Sequence, residues 1–164
     1  MTPRPFLSAF IALCLLFTGL VASDAQADEL IVGANIGNVP WEFADRGGEF
    51  VGFEIDLITE VATRLGHEVS IINIPFNGLF SAVQSGRIDV ALSSITVTEK
   101  RLASVAFAQP YYDSAQSLTV TTGSNVEGLA DLKGSVIGVD TGSTGDMWTT
   151  ANAGTYGIGE IRRY

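Results

Sequence analysis

Cysteine is almost absent from this chain. The one example, Cys14, lies inside an apolar run near the N-terminus. Past that run there can be no disulfide, no zinc–thiolate cluster and no thiol nucleophile, so the fold must rest on packing. Histidine is as scarce: His67 stands alone, directly after Gly66 where a helix should end, which suits an exposed position. No cluster has metal-ligand spacing, and no metal or other cofactor is expected. Positive charge is also short, with 9 basic residues against 18 acidic ones and a formal net charge of −9. A surface of that sign repels nucleic acid and anionic membranes, and excludes them as partners unless a basic patch compensates. Internal repeats and low-complexity tracts are absent.

Long hydrophobic stretches are missing too, with one exception. Phe6 to Val21 is almost unbroken in its apolar character, follows Arg4, and precedes Ala25-Gln26-Ala27, a small-x-small cleavage signal before Asp28. The run is short for a membrane span and is interrupted by Ser8, Thr18 and Gly19. Residues 1–27 are therefore expected to be a cleaved signal peptide, with a soluble product that starts near Asp28 in the periplasm. Cys14, between Leu13 and Leu15-Leu16, lacks the flanks of a lipid-attachment site.

What remains alternates strands and helices. Leu30 to Ala34 has the continuous apolar character of a parallel strand. A helix opens at Gly52-Phe53, with Phe53, Leu57, Ile58, Val61, Ala62 and Leu65 at helical spacing and Gly66 as its stop. Val69 to Ile74 is the next strand, Asn77 is placed to cap a short helix through Leu79, Phe80 and Val83, and Ile88 to Leu92 is a third strand. This order predicts an α/β unit with a parallel sheet. After Pro110-Tyr111-Tyr112 the pattern changes: Gln116 to Thr122 alternates as a strand, Leu129 to Gly134 makes a helical turn, and Val136 to Val139 is a new strand. Thr141-Gly142-Ser143-Thr144-Gly145 then leads into a helix at Met147-Trp148, which is either an ordinary turn or a nest of backbone N–H groups able to hold an anion. Glu54 and Asp56, acids at a helix start where the dipole favours them, have a structural or solvated role.

The segment richest in chemistry runs from Ile88 to Arg101. A buried strand ends in Ser93-Ser94-Ile95-Thr96, and Thr98-Glu99-Lys100-Arg101 begins a helix. Hydroxyls at the carboxyl end of a strand, with a guanidinium in the next turn, suit a small anion, above all a carboxylate. Arginine normally favours the last turn of a helix, so Arg101 near a first turn calls for a negative partner; a solvated surface arginine is the alternative.

Five landmarks in order, Pro40-Trp41-Glu42-Phe43, Val51 to Leu57, Ser85-Gly86-Arg87-Ile88-Asp89-Val90, Thr98 to Arg101, and Gly134 to Gly145, resemble the amino-acid-type extracellular (periplasmic) solute-binding proteins of ABC transporters, family 3. The resemblance implies a type II periplasmic-binding-protein-like α/β fold, in which two lobes with parallel-sheet cores close on a ligand around a hinge. It places lobe one at 28–118 and a hinge strand with a partial lobe two at 119–164. It also implies an amino acid or similar small polar solute as ligand, an ABC permease as partner, a monomer, and no enzymatic activity. Arg101 would pair with the ligand's α-carboxylate, Ser93, Ser94 and Thr96 would surround its α-amino and carboxylate groups, and Phe76 would pack on its side chain. Thr144 would add a backbone N–H, with Asp140 and Thr141 at the rim, while Trp41 would pack within lobe one. Two departures matter: Asn38 replaces a frequent stacking aromatic, and Asn35 stands where receptors of basic amino acids often carry aspartate. The second points away from lysine or arginine, and the first towards a smaller or more polar guest. Members of the family continue past Tyr164, so lobe two is expected to be incomplete, the chain a C-terminally truncated piece, and its grip on ligand weak. A periplasmic dehydratase on the same fold and the sensing domain of a membrane receptor are the alternatives.

Overall fold

A computed structural model describes residues 28–164; the expected signal peptide at 1–27 lies outside the described residues. Three parallel strands form the first sheet. Strand β1 (Glu29–Ala34) lies at its centre, and two-residue strands β2 (Phe43–Ala44) and β3 (Phe50–Val51) follow as an antiparallel ribbon. Helix α1 (Phe53–Leu65), strand β4 (Glu68–Asn73), helix α2 (Phe76–Gln84) and strand β5 (Val90–Leu92) complete the first unit, with β1 flanked by β4 and β5.

The two-residue period of β1 divides its side chains between two cores. Val32 and Ala34 pack with Ile55 of α1 and Leu92, while Ile31 lies against Ile74, Leu79, Ala82 and Ile88 around α2. Gly33 lets α2 approach closely, because a Cβ there would stand 2.5 Å from Ile88 Cδ1 and 3.2 Å from both Ile74 and Leu79. The sheet is thus covered on both faces, which is why its strands are apolar runs without alternation.

Several local expectations need correction. Helix α1 stops at Gly66 in a left-handed conformation as anticipated, but its inward stripe is Glu54, Ile55, Ile58 and Ala62, and Phe53, Val61 and Leu65 are exposed. Apolar residues cover more than one face of this helix, so their spacing cannot set its rotation; the entry does. Gly52 has φ 128°, a Cβ on it would collide with the Trp41 and Pro40 carbonyls, and the N–H groups of Phe53 and Glu54 donate to those carbonyls at 3.0 and 2.9 Å. That docking turns Glu54 inward. Helix α2 starts two residues earlier than expected: Pro75 is its N-cap, suited by a ring-fixed φ and a missing N–H, and Asn77 is an exposed residue within the helix.

The one-turn helix α3 (Glu99–Leu102) is followed by an irregular stretch over 103–128. The hinge strand expected around Gln116–Thr122 is not formed. Those residues are exposed and no strand among the described residues runs beside them, and alternation alone cannot sustain a strand whose backbone groups lack a ladder partner. A 3-10 turn (Leu129–Leu132) opens the second unit, where strand β6 (Val136–Val139), helix α4 (Thr144–Tyr156) and strand β7 (Glu160–Arg163) form a parallel pair with its crossover helix. No described helix is long and apolar enough to cross a membrane.

Candidate functional site

In a parallel sheet of order β4-β1-β5 the chain reverses its direction of winding between β1 and β5. A crevice opens there at the carboxyl ends of the strands. The loop after β1 supplies Asn35 and Asn38, and the loop after β5 supplies Ser93, Ser94 and Thr96; all five line an open cleft of about 1190 Å³. Phe76 and Arg101 also line it, and Asp140 and Thr144 face it from the second unit. Thr141 does not reach the cleft: its N–H and hydroxyl both donate to the Tyr164 carbonyl, at 3.0 and 2.7 Å. Trp41 packs edge-on against Phe53 and Tyr112 with centroids 5.5 and 4.6 Å apart, as expected of a lobe-one residue, but it lines the cleft as well.

Arg101 is 6% exposed, so the solvated alternative fails. Its guanidinium carbon sits 5.4 Å from the centroid of Phe76 and 5.0 Å from that of Phe80, two rings one helical turn apart on α2. Nη1 donates to the Thr96 carbonyl at 2.8 Å and Nη2 to the Gly142 carbonyl at 3.2 Å. Both acceptors are neutral, and no carboxylate pairs with Arg101 among the described residues. Burial holds its pKa below the ordinary arginine value. The dipole argument for a negative partner does not apply, because α3 is a single turn in which first and last coincide; burial supplies the demand instead, since a desolvated cation needs a counter-charge.

The second unit meets this position directly. The Thr144 hydroxyl accepts from Gln116 Nε2 at 2.8 Å and lies 3.5 Å from the Thr96 hydroxyl. The nest at 141–145 is partly filled by the protein's own carboxylate: Asp146 Oδ2 accepts the Gly142 N–H at 3.1 Å, and the Ser143 hydroxyl caps α4 by accepting the Asp146 N–H. The Gly142 N–H, with help from Thr150 and Arg163, holds the Asp146 carboxyl below its usual range. The first-turn N–H groups of α4, at Thr144 and Gly145, have no acceptor within the helix.

Behind the Ser93-Ser94 turn lies an arrangement that sequence reasoning missed. Glu42, 0% exposed, accepts from the Ser93 hydroxyl at 2.7 Å and from Asn38 Nδ2 at 3.3 Å, both through Oε1. Glu54, 1% exposed, accepts the Ser94 N–H through both oxygens, at 2.9 and 3.1 Å, and the Tyr111 hydroxyl as well. Burial first, and then the neighbouring Glu54, push the Glu42 carboxyl up to about 8. Burial and Glu54 likewise raise the Tyr111 phenol above its ordinary value. The Ser93 hydroxyl and the Asn38 amide, offered by the sequence to a ligand, therefore also bond inward. Phe80 could have been found from its spacing to Phe76; nothing local distinguishes Glu42.

A doubly wound sheet whose crevice faces a second parallel sheet is the type II periplasmic-binding-protein fold. An ancestral arginine-binding protein bound to arginine superposes on this chain with a TM-score of 0.79 at 35% identity, over 85% of this chain and 62% of that one. Residues 30–155 match the bacterial extracellular solute-binding proteins, family 3, and the chain belongs to that family. The arginine-binding extracellular protein ArtP of Bacillus subtilis is 30% identical over 146 residues, 85% of this chain and 57% of its own length. The histidine-binding periplasmic protein of Salmonella typhimurium is 31% identical over 160 residues, 96% of this chain and 61% of its own. The chain thus spans about three fifths of the length of these relatives.

Proposed function

We propose that this chain is the ligand-binding part of an exported receptor that captures an amino acid between two lobes, 28–118 and 119–164, and hands it to an ABC permease. The observation that carries this reading is Arg101, a buried cation held between two aromatic rings and two neutral carbonyls at the mouth of a cleft. Its guanidinium takes the ligand's α-carboxylate, and the N–H groups of Thr144 and Gly145 reach the same group from the second lobe. Ser93, Ser94 and Thr96 receive the α-amino end through hydroxyl and main-chain oxygens. Asn35, Asn38 and Phe76 face the side chain, with Asp140 at the rim. Arginine and histidine are the ligands named for the relatives; the amides at 35 and 38 favour a neutral polar side chain. Export through a cleaved leader to the periplasm, and action as a monomer, complete the reading. The dehydratase alternative requires an acid or base set against the ligand's reacting atoms, whereas Glu42 and Glu54 are sealed behind the turn and Asp140 stands at the rim.

The test is an amide-resonance titration of the chain with L-arginine, L-histidine and L-glutamine, which registers weak as well as tight binding. Saturable shifts at Ser93, Ser94 and Thr144 are expected with at least one of them. Arg101→Ala should weaken that binding by about 2 to 5 kcal/mol, because a carboxylate would be left desolvated and unpaired. Equal binding by the Arg101→Ala protein, or no shift with any of the three, overturns the proposal.

A further inference from the structure

Glu42, from the loop before β2, and Glu54, from the first turn of α1, are both buried and both bond to one turn, at its consecutive residues Ser93 and Ser94. Each holds a different atom of the turn that lines the cleft. Glu54 takes the Ser94 N–H with both oxygens, and Glu42 takes the Ser93 hydroxyl. Ser94 has φ 48°, the one positive φ on a non-glycine residue among those described, so this turn is strained and needs support. Asn38 ties the two layers together by donating to Glu42 Oε1 and to the Ser94 hydroxyl, at 3.3 and 3.1 Å.

One atom is left over. Glu42 Oε2 is buried and accepts from no donor. Two ionised carboxylates sealed behind one turn would repel, and among the described residues no cation offsets them: the titratable groups there that face the pair are the two carboxyls themselves and the Tyr111 phenol from the irregular stretch, with neutral Asn38, Ser93 and Ser94 completing the shell. A single proton on Glu42 Oε2, donated to Glu54, resolves both problems. Glu54 is the acceptor of the two, since it already receives the Ser94 N–H and the Tyr111 hydroxyl and stands where the α1 dipole favours negative charge.

We propose that Glu42 and Glu54 form a positioning pair sharing one proton, and that this proton holds the Ser93-Ser94 turn in the geometry needed to capture an amino acid. The capture clause rests on the function proposed above; the pair itself does not. Tyr111 extends the device, because the segment leaving the first unit is bonded to the same carboxyl that supports the turn. Loss of the proton puts two negative charges behind Ser94 and loosens the turn.

The deciding measurement needs no ligand. In the unmodified chain, glutamate side-chain carboxyl resonances followed through a pH titration should include one that titrates near pH 8, with the Ser94 amide resonance moving at the same midpoint. In Glu42→Gln, whose amide keeps an acceptor for Ser93 and a donor for Glu54, that titration should vanish while the Ser94 amide stays in place. Affinity for L-glutamine, or for whichever of the three amino acids binds, should fall about tenfold per pH unit above that midpoint in the unmodified chain, and less steeply in Glu42→Gln. Any alkaline loss common to both proteins belongs to the ligand's own ammonium. Glu42→Ala should lose affinity at every pH. The proposal is overturned if no glutamate carboxyl titrates near pH 8, if Ser94 ignores the titration, or if Glu42→Gln and Glu42→Ala behave alike. Absence of any amino-acid binding overturns the receptor reading and the capture clause, while the carboxyl titration still decides the pair.

Discussion

The two units of this molecule are built from the same parts, parallel strands with crossover helices, yet they are held together differently. In the first, a central strand is covered on both faces, and the fully buried Val32, Ala34, Ala62 and Leu79 form the interior. In the second, Leu132 is the one buried apolar residue among those described, and Asp146 and Thr149 are the buried polar ones. Its organising contact is a carboxylate: Asp146 accepts from the Gly142 N–H, the Thr150 hydroxyl and Arg163, so one side chain joins the β6–α4 loop, α4 and β7. Hydrophobic packing is non-directional and insensitive to pH; a hydrogen-bonded carboxylate is directional and titrates. The two halves of one cleft should therefore fail under different conditions.

The chain has two tryptophans, Trp41 in the first unit and Trp148 in the second, and variants keeping one of them would follow each unit separately. The largest effect is expected from Leu79→Ala, which empties a fully buried position between α2 and the sheet and should cost the first unit about 2 to 5 kcal/mol. Denaturant unfolding read by Trp41 should shift strongly and that read by Trp148 little; equal shifts would mean that the units unfold as one, which breaks the contrast.

A smaller effect, on the other side, is expected from Asp146→Asn. Removing a charged acceptor should cost the second unit about 1 to 3 kcal/mol, seen by Trp148. The acid response sharpens the point. The Asp146 pKa is lowered by folding, so its contribution is present above the ordinary value of 3.8 and is lost as pH falls through the lower folded value. The Glu42 pKa is raised instead, so the first unit should lose stability as pH climbs from about 4.5 to about 8 and stay level beyond. Trp148 should report the acid transition, Trp41 the decline towards neutrality, and Asp146→Asn should flatten only the former. The smallest effect serves as a control: Glu60→Ala breaks an exposed pair with Arg64, 2.7 Å long, and should change stability by less than about 1 kcal/mol.

The irregular stretch between the units shows how a local pattern can mislead. Gln116 to Thr122 alternates as a strand should, and Thr and Val favour extended backbone, yet among the described residues the segment has no neighbour to pair with. Tyr111 and Tyr112, in contrast, looked like punctuation and are attachments: one bonds Glu54 and the other packs on Trp41. For α1, the sequence showed where the helix begins and ends but not which way it faces.

By itself, the sequence determined whatever depends on neighbours a few residues apart. Apolar runs placed β1, β4 and β5, Gly66 stopped α1, and hydroxyls after a strand with Arg101 close behind marked the turn that lines the cleft. Tertiary structure alone decided what depends on segments distant along the chain. It sealed Arg101 against Phe80 and the Gly142 carbonyl, turned Thr141 away from the cleft, and brought Glu42 beside Glu54 under the turn it was not known to support. The physical reason is burial. A carboxyl or guanidinium has the same chemistry wherever it stands in a sequence, but how strongly it must be paired, protonated or opposed follows from the water removed around it, and that is set when the whole chain packs.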